Sequence, residues 1–359
     1  MTRPGRLAAI DWLRGVAVAC MVIWHVTDAW HTPADRDSSG FAAVIFVGGW
    51  AAPMFVFLAG LSLVLAAGKH LERGASRVEA AGRLRRRGWQ IFILAHVFRL
   101  QSFLLDPYAT WDSIFKADIL NVLGLGIVAA GWAWQRADSG TRRVLFLLVP
   151  ALVIGLVLTP WAPLWQWPSH LPARLEGYVR ISGDNAVFSL FPAVGYVLAG
   201  AFVGSGRVIE ELRSGSAVWL TRVGAVLSIG PFLWGWLPLP EPVPAWTSPL
   251  AVATFRVGVM ILLLGLAARL LRTGIGLWAP LVTLGQASLF AYWIHVEPVY
   301  GVFSAPLHGA LSLGGALAGC AVVLAVTWAC SVWWMRAGPD RPWIPVHMAA
   351  PRRIRPGYP

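Results

Sequence analysis

Apolar stretches of about 20 residues follow one another along almost all of this 359-residue chain, each long enough to cross roughly 30 Å of hydrocarbon at about 1.5 Å per helical residue. Only 13% of the residues are charged, against roughly 25% in a soluble domain, so the chain cannot cover one apolar core with a polar surface. Inside lipid every backbone N–H and C=O must be satisfied within the protein, which a helix does for itself. The expectation is an all-α transmembrane bundle of about ten helices, at roughly 8–30, 41–67, 88–105, 117–135, 143–165, 186–204, 217–237, 248–271, 279–303 and 309–335. No linker or low-complexity segment interrupts it, so a single domain over 1–359 is expected.

The chain has 29 basic and 17 acidic residues, a net charge of +12. In a soluble protein that excess would suggest nucleic acid, but basic residues also collect in the cytoplasmic loops of membrane proteins. With both termini in the cytoplasm, 22 Lys and Arg lie on that side, four (Arg36, Lys116, Arg174, Arg180) lie opposite, and three (Arg14, Arg99, Arg256) fall within spans. The far side then carries loops 31–40, 106–116, 166–185 and 238–247. The basic loop 68–87 reads either as an amphipathic helix on anionic lipid or as a plain topology anchor. A multi-pass protein of the inner membrane is expected if the source is bacterial.

Cys20, Cys320 and Cys330 all fall in apolar segments, where they pack as small hydrophobes rather than form disulfides. There is no Gly-x-x-x-x-Gly-Lys phosphate loop, no His-Glu-x-x-His pair and no Gly-x-Ser-x-Gly elbow. Metal and serine-hydrolase chemistry therefore receive little support, and no metal is expected.

Charged groups at membrane depth are costly and usually functional. The first span places Asp11, Arg14, His25 and Asp28 at about 0°, 300°, 320° and 260°, taking about 100° per residue, so all four share one stripe. Arg14 and His25 lie about 16 Å apart along the axis, a distance that an extended pantetheine arm can span. A histidine is the usual general base for a hydroxyl or amine attacking a thioester, with Asp28 available to orient its ring. Its bland alternative is a buried histidine bonded to a neighbour.

Further groups recur at helical spacing. His96 and Arg99 lie one turn apart, as do Asp118 and Asn121, and an Arg99–Asp118 ion pair is the simplest account of those two charges. The ninth span, LVTLGQASLFAYWIHVEPVYG, presents Tyr292, His295 and Glu297, while Arg256 stands alone in the eighth. Arg99, Asp118, Tyr292, His295, Glu297 and Arg256 are the candidate substrate-binding residues. His295 reads equally as an acceptor contact, a bridge to His25 or a structural hydrogen bond.

The run AAIDWLRGVAVACMVIWHVTDAW followed by GGWAAPMFVFLAG resembles the bacterial membrane proteins related to heparan-alpha-glucosaminide N-acetyltransferase. The similarity extends through RRRGWQIFILAHVFRLQS, KADILNVLG, FSLFPAVGYVLAGAFVG and SLFAYWIHVEPVYG, most of the chain. The Arg14-x10-His25 pair is similar to the motif of the wider transmembrane acyltransferase superfamily, which includes bacterial sugar O-acyltransferases. The resemblance implies transfer of an acyl group from cytoplasmic acyl-CoA to an acceptor across the membrane, with His25 as catalytic histidine and Arg14 on the donor side. In the lysosomal enzyme the active histidine follows the first span, so the base stays open between His25 and His31.

The expected function is therefore a membrane acyltransferase with catalytic His25 and Asp28, donor-side Arg14 and Asp11, and acetyl-CoA or another acyl-CoA as donor. Expected partners are the bilayer, acyl-CoA and a sugar or glycoconjugate acceptor, with a homo-oligomer left open and nucleic acid not expected. The rival readings are a secondary transporter, for which no inverted repeat is evident, and a non-catalytic scaffold.

Overall fold

The computed structural model describes residues 7–106, 109–181, 186–206, 208–234, 249–274 and 278–337. The expected loop 238–247, Arg207 and the terminal arginines lie outside the described residues. Among those described, the regular structure is all helical, and the only bridge pairs are the isolated ones at His31–Leu311 and Ala117–Ala186. The principal elements are α1 (Ala8–Trp30), α2 (Ser39–Gly48), α3 (Ala51–Glu72), α4 (Arg77–Leu105) and α5 (Ile119–Arg136). They continue with α6 (Gly140–Leu164), in which α and π turns alternate, α7 (Leu190–Gly204), α8 (Val218–Trp234) and α9 (Pro249–Leu270). Last come α10 (Ala279–Gln286), α11 (Ser288–Tyr300) and α12 (Leu313–Arg336).

Among the described residues six helical segments are long and apolar enough to cross a membrane: Ala8–Trp30, Ser39–Glu72, Arg77–Leu105, Gly140–Leu164, Ala251–Leu270 and Leu313–Arg336. The other expected spans fall on α5, α7, α8 and the pair α10 and α11. At 15 residues, α7 reaches only about 22 Å along its axis.

Two expectations differ from the structure. The stretch 68–87 is not a separate surface helix, because α3 runs on to Glu72 and α4 already begins at Arg77. Ser76 caps α4: its hydroxyl accepts from the Glu79 backbone N–H at 3.2 Å, while its own backbone N–H donates to Glu79 Oε2 at 2.9 Å. That reciprocal capping box starts the helix 11 residues before the apolar run. The expected span 279–303 is likewise divided, because Ala287 at φ −103° and ψ 18° leaves the helical path between α10 and α11.

α1 is the hub, packed against α2, α3, α9, α10, α11 and α12, while α3 pairs with α7, α4 with α5 and α8 with α9. The α1–α10 crossing depends on glycine: a Cβ on Gly15 would run into the Leu281 carbonyl, and one on Gly285 into the Asp11 carbonyl. Small residues at such crossings let backbones approach closely. The break at Ala287 then frees α11 to face the other end of α1.

Candidate functional site

The helices around α1 enclose a cavity of about 1240 Å³. Along α4 its wall runs from Arg83 to Leu105, about 33 Å of helix and comparable to the hydrocarbon thickness. One end is basic, with Arg14 on α1, His70 on α3, and Arg83 and Arg87 on α4. The opposite end presents Asp28, Arg99, Ser102, Asp106, Lys116, Glu297 and Tyr300. His25 lines the wall near this second end, three residues before Asp28.

His25 is held by a residue from α11. Its Nδ1 lies 2.9 Å from His295 Nε2, and the two rings are within 10° of coplanar. His295 Nδ1 lies 2.7 Å from the Ala291 carbonyl oxygen, which can only accept. With both rings neutral, His295 therefore donates from Nδ1 and accepts at Nε2, which requires His25 to donate from Nδ1. The remaining nitrogen, His25 Nε2, keeps its lone pair. This chain of two bonds fixes the tautomer as well as the orientation.

Asp28 does not orient His25. It accepts from the Tyr300 hydroxyl at 3.4 Å, lies 4.0 Å from Arg36 Nη1, and its backbone carbonyl accepts from Arg36 Nη2 at 2.7 Å. Tyr300 also meets the His25 ring edge-on, at 5.4 Å between centroids. The Asp28 carboxylate thus reaches His25 only through Tyr300.

Arg99 Nε donates to Asp118 Oδ2 at 3.1 Å. Asp118 is also the N-cap of α5, its Oδ1 accepting from the Leu120 and Asn121 backbone N–H groups. The cap holds the carboxylate still, and the carboxylate in turn holds Arg99 at the cavity wall. Glu297 accepts from Ser102 Oγ at 3.1 Å, and Trp293 Nε1 donates to Gln101 Oε1 at 2.8 Å, so α11 is tied to α4 across the site. On the short helix Ala173–Val179, burial first and the Asp118 charge second push the Tyr178 hydroxyl up to about 12.

Of the residues expected from sequence, Arg14, His25, Asp28, Arg99, Asp118, Tyr292 and Glu297 share this cavity. Asp11 is buried beside the α1–α10 crossing and His295 stands behind His25, so neither lines it. Arg256 faces a different cavity. His31 lies beyond the end of α1, fully buried, with Nδ1 donating to the Leu311 carbonyl at 3.1 Å; only His25 of the two candidate bases reaches the cavity.

Sequence reasoning missed His70, Arg83, Arg87, Ser102, Lys116 and Tyr300 as site residues. A signal was present for those on α4: Arg83, Arg87, Ile91, Phe98, Ser102 and Leu105 recur three, four or seven residues apart on one helical face. It becomes visible only once the helix is known to start at Arg77 rather than at 88.

A protein-family model described as an acyltransferase domain matches residues 7–332. No curated protein matches the chain.

Proposed function

This chain belongs to the acyltransferase-domain family and is a membrane acyltransferase, and from that premise we propose that it transfers an acyl group, acetyl first among candidates, from cytoplasmic acyl-CoA to a hydroxyl or amine of a sugar or glycoconjugate on the far side. The observation that supports this most directly is the long cavity, basic at one end, with His25 on its wall near the other and its Nδ1 engaged by His295, which leaves Nε2 as the free base.

In this reading ten membrane segments leave both termini in the cytoplasm, and the end with Arg14, His70, Arg83 and Arg87 is the cytoplasmic mouth. The three arginines hold the phosphates of the donor nucleotide as charge-assisted partners. The pantetheine arm lies along the cavity and brings the thioester to His25, about 16 Å further along α1. The acceptor enters from the opposite end, where Arg99, Ser102, Glu297 and Tyr300 offer donors and acceptors to sugar hydroxyls. The resemblance to heparan-alpha-glucosaminide N-acetyltransferase relatives and to sugar O-acyltransferases supports a glycan acceptor.

The chemistry then follows from the tautomer. As the acceptor oxygen or nitrogen attacks the thioester carbonyl, its proton passes to His25 Nε2. The positive charge on His25 is shared with His295 through their common hydrogen bond. Collapse of the tetrahedral intermediate breaks the C–S bond, and the departing thiolate takes the proton back from His25. The products are the acylated acceptor and CoA-SH, with no net change at the enzyme.

The test is transfer of labelled acetyl from acetyl-CoA in proteoliposomes to a mixed glycan extract, comparing the native protein with His25→Ala. Label on glycan with the native protein alone supports both reaction and base. Equal transfer by His25→Ala would remove His25 as the base, and uptake of a solute without transfer would favour a transporter.

A further inference from the structure

The span Ala251–Leu270 contains two charged residues: Arg269, at its end, donates to the Ser216 carbonyl, whereas deeper in the span and outside the lining of the central cavity stands Arg256. Among the described residues it has no carboxylate or carbonyl partner. It faces a second cavity of about 560 Å³, walled by Trp24, Phe46, Trp50, Phe232 and Phe255. The rings interlock edge to face, Trp50 with Phe255 at 5.7 Å and Phe232 with Phe255 at 5.4 Å between centroids, so the wall is a packed aromatic surface.

The rim of this cavity belongs to the apolar outer surface of the helices. Phe46 and Phe232 at its rim are 65% and 42% exposed, and both sit on apolar helices. A lone guanidinium between aromatic walls that open on lipid is costly unless an anion comes to it. The occupant must therefore be both anionic and soluble in the bilayer. A guanidinium matches the planar, bidentate demands of a phosphate, and lipid headgroups supply phosphates attached to apolar chains.

We propose that this side cavity binds a phosphate-bearing membrane lipid, with the phosphate on Arg256 and the first chain carbons against Phe46, Phe232 and Phe255. The site is distinct from the central cavity but shares a partition with it, since Trp24 and Gly49 line both. Trp24 directly precedes His25 in α1, so the lipid sits level with the candidate base. The proposal does not depend on the acyltransferase reading.

The experiment uses full-length protein delipidated in a neutral detergent and titrated with phosphatidylglycerol, diacylglycerol or inorganic phosphate, reading thermal stability and retained lipid by native mass spectrometry. Phosphatidylglycerol is expected to stabilise the native protein and remain bound, whereas Arg256→Gln needs at least about tenfold more lipid for the same stabilisation and Arg256→Lys falls between. Phe46→Ala, a change at a largely exposed position, is expected to weaken lipid retention with Arg256 intact. Equal protection of Arg256→Gln, unchanged retention by Phe46→Ala, or equal protection by diacylglycerol would overturn the proposal. Protection by inorganic phosphate alone would make this a free-anion site and overturn it as well.

Discussion

His25 and His295, 270 residues apart in sequence, are joined by a 2.9 Å contact between Nδ1 of the first and Nε2 of the second. Because the Ala291 carbonyl accepts from the Nδ1–H of His295, the pair has one consistent arrangement of hydrogens when neutral, and it points the His25 Nε2 lone pair away from His295.

His295→Leu removes the acceptor for His25 Nδ1 and releases the ring to either tautomer. The expected loss in kcat is about 10²-fold or more, the scale of a general-base contribution, with donor KM little changed. His295→Gln, whose Oε1 can accept the same proton, should recover part of the rate. Equal activity in the Leu and Gln variants, measured by acetyl transfer in proteoliposomes, would show that the bond to His295 does not set the tautomer.

Arg83→Ala and Arg87→Ala should raise KM for acyl-CoA by roughly tenfold each while leaving kcat nearly unchanged, since they act on groups remote from the reacting carbon. An acyl-pantetheine donor, which lacks the nucleotide phosphates, should be used equally well by native and variant proteins. A KM change of the same size with both donors would mean that these arginines support the fold rather than the phosphates.

Arg99→Met leaves the Asp118 carboxylate buried beside the cavity and should cost about 3–5 kcal/mol of stability. In the background Asp118→Asn, where the capping acceptor remains and the charge does not, the same change should cost much less. A thermal-unfolding double-mutant cycle reads the difference, and additive effects would show that the 3.1 Å pair contributes nothing.

Gly285→Ala should lower stability by about 1–3 kcal/mol, the range for overpacking, because the new methyl meets the Asp11 carbonyl where α10 crosses α1. Gly140→Ala, at a position with open space around the added methyl, should be close to neutral. Similar unfolding temperatures for the two variants would argue against so close a crossing.

Much of this arrangement is legible in one dimension. Apolar run length gives membrane helices, and 3.6-residue periodicity places Arg14, His25 and Asp28 on one face of α1, where all three do line the cavity. The same periodicity could not separate Asp11, which lies at the edge of that stripe and is buried against α10. Nor could it find the start of α4, because the Ser76 capping box stands in a run of charges that reads as a loop. For 279–303, an unbroken apolar sequence concealed the change of direction at Ala287.

The sequence by itself determined that the chain lives in lipid and that its charged residues at membrane depth would need partners, since both follow from transfer free energies that act residue by residue. Only the tertiary structure decided which partners they have. Whether His25 is oriented by Asp28 on its own helix or by His295 on another depends on how far α11 swings after its break. Whether Arg256 joins the central cavity depends on which side of Trp24 the helix α9 lies. These are matters of helix rotation and crossing, fixed by close contacts between small residues such as Gly15 and Gly285, and no property of a single segment contains them.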